Sequence, residues 1–365
     1  MKADFIRWAS VAVAAIVFAG GANAEDRVVH VYNWSDYIDE SILEDFTKET
    51  GIKVVYDVFD SNEILETKLL AGGSGYDVVV PTGPFLARQI QAGVFQKLDK
   101  SKLPNLSNMW PAVMERLAKY DPGNEYAVNY MWGTTGIGYN IDKVKAALGD
   151  VKIDSLDVLF KPENAEKLKS CGINILDASD ETFAIAMNYL GKNPDSKETA
   201  DLEAGGDVYM KIRPSVKTFN SSSYIDDLAN GDICITIGWS GDVLQAKARA
   251  EEANNGVKID YVIPKEGTYM WFDNLAIPAD AKNVEEAHEF INYLMKPEVI
   301  AKASNYVQYA NGNLASQQFL DESVFKNPSV YPDEETTKKL FTISPYGPKE
   351  QRVLNRVWTQ IKTGS

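Results

Sequence analysis

The chain is 365 residues long, with 37 basic against 52 acidic side chains, a formal net charge of −15, 11% aromatic residues and two cysteines. That acidity argues against a nucleic-acid partner, since a polyanion would be repelled. A negative field also raises the encounter rate of a cationic ligand, although acidity by itself serves solubility too.

Lys2 and Arg7 lead into an apolar run from Trp8 to Ala19, and Ala22-Asn23-Ala24 supplies a small-residue cleavage site before Glu25. This is the pattern of a secretory signal peptide over 1–24, with Asp4 as a departure from a purely basic leader. Gly20 and Gly21 interrupt the run too soon for a stable membrane anchor, so a soluble, exported, periplasmic chain is expected to begin near Glu25. The remaining ~340 residues exceed what one hydrophobic core usually serves, which predicts two domains. In an exported chain, Cys171 and Cys234 suggest a disulfide, with two buried free thiols as the alternative.

In chain order, Val28 to Tyr32 reads as a strand, and Asp39 to Thr50 carries Ile42, Leu43 and Phe46 at helical spacing before Gly51. Ile52 to Val58 reads as a strand, Glu63 to Ala71 as a helix, Tyr76 to Val80 as a buried strand and Phe85 to Ala92 as a helix. This alternation predicts an α/β layer with a mainly parallel sheet, whose ligands bind beyond the carboxyl ends of the strands. Thr134 to Asn140 is a strand rich in glycine and hydroxyl residues, suited to a crossover and read as the first hinge.

A second α/β layer should follow. Its strands are Asn174 to Leu176 and Ile233 to Ile237, and its helices Thr182 to Leu190, Leu202 to Ile212 and Val243 to Ala253. Strands at Ile259 to Ile263 and Trp271 to Ile277 are expected to return to the first lobe. Helices are predicted over Glu285 to Met295, Glu298 to Ala303 and Gln351 to Ile361. The expected division is 25–134 with about 258–300 in lobe 1, and 135–257 with about 301–365 in lobe 2.

Three times an aromatic residue and a carboxylate stand two or three positions apart beside an apolar strand: Trp34 with Asp36 and Tyr37, Trp239 with Asp242, and Trp271 with Asp273. Aromatic faces attract an ammonium by about 0.5–2 kcal/mol, and a dehydrated carboxylate adds a charge-assisted hydrogen bond. The pattern fits a flexible organic cation. Strand periodicity would point Trp34 and Asp36, and likewise Trp271 and Asp273, the same way. Asp242 and Glu181 each fall near a predicted helix start, where a cap is a sufficient explanation. Tyr309 is equally accounted for by packing.

The stretches Tyr32-Asn33-Trp34-Ser35-Asp36-Tyr37-Ile38, Gly51 to Asp57, Thr134 to Asn140 and Asn230-Gly231-Asp232-Ile233-Cys234 resemble those of the bacterial periplasmic polyamine-binding proteins, in the same order over the mature chain. The resemblance implies a type II periplasmic-binding fold, with two α/β lobes that close on putrescine or spermidine and deliver it to an inner-membrane ABC permease. It places the ligand site on Trp34, Ser35, Asp36, Tyr37, Glu181, Trp239, Asp242, Trp271, Asp273, Tyr309 and Thr82, where serine is usual, and it implies a Cys171–Cys234 disulfide and a monomer. Asp242 and Asp273 would hold one terminal ammonium, Asp36 or Glu181 a more distant amine, and the aromatic residues the methylenes. Trp271 stands where putrescine-preferring relatives tend to have phenylalanine, so spermidine is the expected preference.

An enzyme is not expected. His30 and His288 sit in a predicted strand and helix, and Gly238-Trp239-Ser240-Gly241-Asp242 has Asp where a hydrolase elbow needs its second glycine. Paired carboxylates could serve a glycosidase only at a separation that sequence does not disclose. There is no Walker sequence, complete dinucleotide-binding pattern or His/Cys metal cluster, so neither cofactor nor metal is implied. A receptor for another organic cation such as agmatine, or a polyamine sensor without a transport role, are the alternative readings.

Overall fold

The computed structural model describes residues 27–364, so the expected leader at 1–24 lies outside the described residues. Strand β1 (Val28–Trp34) alternates buried and half-buried positions and runs parallel to β2 (Lys53–Phe59) and β3 (Val78–Val79). Between β1 and β2, the helix Glu40–Thr50 begins where Asp39 accepts from the Ser41 N–H and ends at Gly51, whose φ of 73° favours glycine. Ile42 and Phe46 form its buried face, and Phe46 meets Phe290 and Tyr293 edge-on with ring centres 5.2 Å apart.

The central strand β4 (Ala127–Asn140) is buried along almost its whole length. It is followed by β5 (Ile173–Ile175), β6 (Val216–Phe219), β7 (Ile235–Trp239), β8 (Ile259–Val262), β9 (Met270–Ala276) and β10 (Ala310–Asn311). The sheet order is β2-β1-β3-β9-β4-β7-β5-β6, with β8 and β10 also paired to β4. The flanks β2-β1-β3 and β7-β5-β6 are parallel, but every partner of β4 is antiparallel, so the sheet is mixed rather than mainly parallel.

Pairing changes partner within β4. Ala127 to Thr134 pair with β9, whereas Thr135 to Tyr139 pair with β7 and Ile137 to Asn140 with β8. One continuous strand therefore belongs to both groups of strands. Because β8 bonds to the second half of β4, the return to the first group follows Val262 instead of falling near 258. After the helix Pro297–Val307, β10 pairs with the first half of β4 through Ala310–Trp132, within the stretch from about 301 that the sequence places with the second lobe. The C-terminal helix Pro348–Thr363 buries Leu354, Val357, Trp358 and Ile361, with the Trp358 ring edge-on to Phe183, Tyr209 and Phe219.

Cys171 and Cys234 form a disulfide with Cα atoms 5.4 Å apart, tying the turn before β5 to the residue before β7. The free-thiol alternative is thereby set aside. With its ends 63 positions apart in the sequence, the bridge is assigned about 4 kcal/mol of stabilisation by chain entropy.

Candidate ligand-binding cleft

β1, β3 and β7 all point their carboxyl ends at one cleft of about 800 Å³, part of it open to solvent. It is lined by Trp34, Ser35, Tyr37, Thr82, Glu181, Trp239, Asp242, Trp271, Asp273 and Tyr309, ten of the eleven ligand residues expected from sequence.

Asp273 leaves β9 in the same direction as Trp271, as strand alternation requires. Its Oδ2 accepts from the Tyr37 hydroxyl at 2.9 Å and its Oδ1 from Thr82 Oγ1 at 2.6 Å. Thr82 opens the helix Gly83–Gln91 without capping it, so its hydroxyl is free to serve Asp273 and to accept from Asn62 Nδ2 at 3.0 Å. Asp242 lies in the first turn of the helix Ser240–Ala253, and no side chain caps that helix. Its Oδ1 accepts from Tyr309 at 2.6 Å and its Oδ2 from Tyr224 at 2.9 Å. Glu181 likewise stands in the first turn of the helix Ser179–Tyr189 without capping it, and it accepts from Trp239 Nε1 at 3.0 Å and from Thr135 Oγ1.

All three carboxylates are buried, and loss of hydration pushes each of them up to about 7 even though the hydroxyl and indole donors pull the other way. Such groups are short of positive charge, and an ammonium ion supplies it. The aromatic walls are held firmly. Trp34 donates its indole N–H to the Val80 carbonyl at 2.9 Å and meets Trp239 edge-on at 5.7 Å, while Trp271 packs edge-on against Tyr309 at 5.2 Å. Two glycines permit this closeness: a Cβ at Gly133 would stand 2.6 Å from the Trp271 ring, and one at Gly241 2.5 Å from the Tyr309 ring.

Asp36 is the exception among the expected residues. β1 ends at Trp34, and Asp36 adopts a left-handed backbone with φ of 54°, so the alternation that would have aimed it beside Trp34 does not persist. Its carboxylate is instead bonded at 2.6 Å to Arg249, which also holds Asp226 at 2.7 Å. Of Asp36 and Glu181, only Glu181 lines the cleft. Sequence reasoning missed Tyr224, Asn62, Glu63, Phe85, Asp180 and Tyr269, which line or support the cleft. Of these, Glu63, Phe85 and Asp180 fell within or beside elements already recognised, but nothing local distinguished them.

A family described as bacterial extracellular solute-binding protein matches residues 41–332. The chain belongs to this family. This solute-binding protein is 57% identical over 348 residues, 95% of each chain, to the putrescine-binding periplasmic protein SpuD of Pseudomonas aeruginosa. It is 53% identical over 363 residues, 98% of each chain, to the putrescine-binding periplasmic protein PotF of Escherichia coli. Among solved structures, the spermidine/putrescine ABC transporter substrate-binding protein PotD of Streptococcus pneumoniae matches with a TM-score of 0.75 and 32% identity, covering 93% of this chain and 99% of that one. The architecture of this solute-binding protein is the type II periplasmic-binding fold, and its relatives are binding proteins, not enzymes.

The two histidines have structural partners in this solute-binding protein. His288 Nε2 accepts from the Asp99 N–H at 2.9 Å, and His30 lies 3.2 Å from Asp77. No helix among the described residues is long and apolar enough to cross a membrane.

Proposed function

We propose that this solute-binding protein captures a polyamine, putrescine foremost, in the periplasm and passes it as a monomeric carrier to an inner-membrane ABC importer. The observation that carries this reading is the pairing of two dehydrated, donor-held carboxylates, Asp242 and Asp273, with the ring walls of Trp34, Trp239 and Trp271 around one cleft. An alkyl diammonium offers charges for the carboxylates and methylenes for the rings. The names of the two curated relatives favour putrescine over the spermidine preference expected from Trp271.

Spermidine is the second reading. Trp271 gives a longer wall than phenylalanine would, and Glu63, Asp177 and Asp180 also line the cleft. Calorimetric titration of the leaderless protein with putrescine, spermidine, spermine and agmatine tests both. Putrescine is expected to bind most tightly, a spermidine preference would favour the second reading, and no heat from any amine would remove the polyamine assignment. Loss of uptake on deleting the chain separates a carrier from a sensor.

We further propose that the lobes meet at Thr134 and Thr135, where β4 changes partner, and that the cation draws them together. Solution scattering should show a smaller radius of gyration with ligand, and an unchanged profile at saturation would count against closure.

A further inference from the structure

Asparagine precedes glycine three times in the chain, at Asn230-Gly231, Asn255-Gly256 and Asn311-Gly312. In such a pair the glycine nitrogen, with no side chain beside it, can approach the amide carbon of the asparagine side chain. The fold treats the three pairs differently. Asn311 is 1% exposed in β10, with Oδ1 accepting from the Asn313 N–H at 2.8 Å and from Ser316 Oγ at 2.9 Å, and Nδ2 donating to Ser304 Oγ at 2.9 Å. Asn230 closes the helix Tyr224–Asn230, and the N–H of the buried Gly231 is spent on the Leu228 carbonyl at 3.1 Å.

Asn255 and Gly256 are both exposed, in the turn between the helix Ser240–Ala253 and β8. The Gly256 N–H makes no hydrogen bond among the described residues, and a Cβ at Gly256 would meet nothing within 4 Å. Asn255 Oδ1 accepts from the Val257 N–H at 2.9 Å, so a donor already faces the oxygen that gains charge when the side-chain amide carbon is attacked. Asn255 Nδ2 donates to the Ala229 carbonyl at 2.9 Å, which clips this turn to the last turn of Tyr224–Asn230. The clip thus joins the far ends of the two helices whose first turns carry Asp242 and Tyr224.

We propose that Asn255 is a modification site, the Asn-Gly pair that the folded chain leaves open to deamidation. The Gly256 nitrogen bonds to Asn255 Cγ and gives up its proton to the departing Nδ2 group. The Cγ–Nδ2 bond breaks, ammonia leaves and a succinimide ring remains. Water then opens the ring at Cγ to give aspartate, or at the Asn255 main-chain carbonyl to give isoaspartate, which routes the backbone through Cγ. Either product gains a carboxylate and lacks the Nδ2 donor, so the Ala229 carbonyl loses its partner.

The test is peptide mapping of the leaderless protein aged at pH 8, since trypsin places the three pairs in separate peptides, 218–247, 250–258 and 303–326. Peptide 250–258 should gain about 1 Da roughly tenfold faster than the other two, with fragment masses locating the gain on Asn255. Asn255→Gln should abolish that gain. In protein unfolded with guanidinium the three rates should converge, because the selection lies in the fold. Equal rates in the folded protein, a gain on Asn254 instead, or the same ranking in guanidinium would overturn the assignment. Hydrogen exchange at the end of Tyr224–Asn230 should quicken in the aged protein, and unchanged exchange would overturn the clip. Neither outcome bears on the polyamine reading, which calorimetry tests separately.

Discussion

Tyr309 and Asp242 are joined twice: the phenol donates to Oδ1 at 2.6 Å and accepts from the Asp242 backbone N–H at 3.1 Å. One ring thus fixes both the carboxylate and the first turn of the helix that carries it. Tyr309→Phe should remove the donor that holds Asp242 toward its ionised form and weaken polyamine binding by about tenfold, in line with roughly 1–3 kcal/mol for a lost buried partner. Calorimetry at pH 7 checks this. Binding equal to wild type would mean that Tyr309 only packs.

Asp242→Asn and Asp273→Asn should each weaken putrescine at least tenfold, since breaking a buried charge pair costs about 2–5 kcal/mol. The unliganded variants should nevertheless melt no lower than wild type at pH 8, because each loses a dehydrated charge and keeps a similar shape. Differential scanning calorimetry separates the two effects. A variant that loses both affinity and stability would show that its carboxylate is structural.

The same acids predict the response to pH. Asp242, Asp273 and Glu181 sit near 7 when folded, against ordinary values of about 4 in the unfolded chain. The folded state therefore holds more protons between those limits, so stability from these groups is complete below about pH 4 and is lost as pH rises through about 7. Ligand-free protein should melt at falling temperature from pH 5 to pH 8, and the stabilisation by added putrescine should grow over the same range. Binding at pH 7 should also release protons, seen as a heat that depends on the buffer's ionisation enthalpy. A flat melting profile together with buffer-independent heats would contradict the burial argument.

Arg249, on the helix Ser240–Ala253, joins Asp36 just after β1 to Asp226 and so ties the first group of strands to the second. All three side chains are at least one-third exposed, so Arg249→Ala should cost no more than about 1 kcal/mol of folding stability. Its larger effect is expected on ligand escape, with the dissociation rate rising several-fold in stopped-flow fluorescence of the cleft tryptophans. An unchanged dissociation rate would leave the ion pair a surface detail.

The parts of the site that follow from local periodicity were legible in the sequence. Trp271 and Asp273 share a face because β9 is regular, and Trp34 and Trp239 end strands that the apolar runs announce. Asp36 misled because a left-handed turn at a non-glycine residue has no local signature. Tyr309 was reached only through resemblance, and Tyr224 not at all, since what makes each matter is a bond to Asp242 from another part of the chain. β3 shrank from the five residues expected to Val78–Val79, and β4 began at Ala127 rather than near Thr134, because strand length is set by available neighbours. The mixed sheet has the same origin: helices between strands foretell parallel pairs at the flanks, but the antiparallel centre depends on long-range returns.

The hydroxyl-held, water-starved acids of the cleft have a practical corollary at the bench. Any small protonated amine is a weak surrogate for cargo, so protein prepared in Tris or ammonium salts should behave as partly filled. Genuinely vacant material, obtained by unfolding, dialysis and refolding in phosphate, should be the form that ages fastest on storage at alkaline pH.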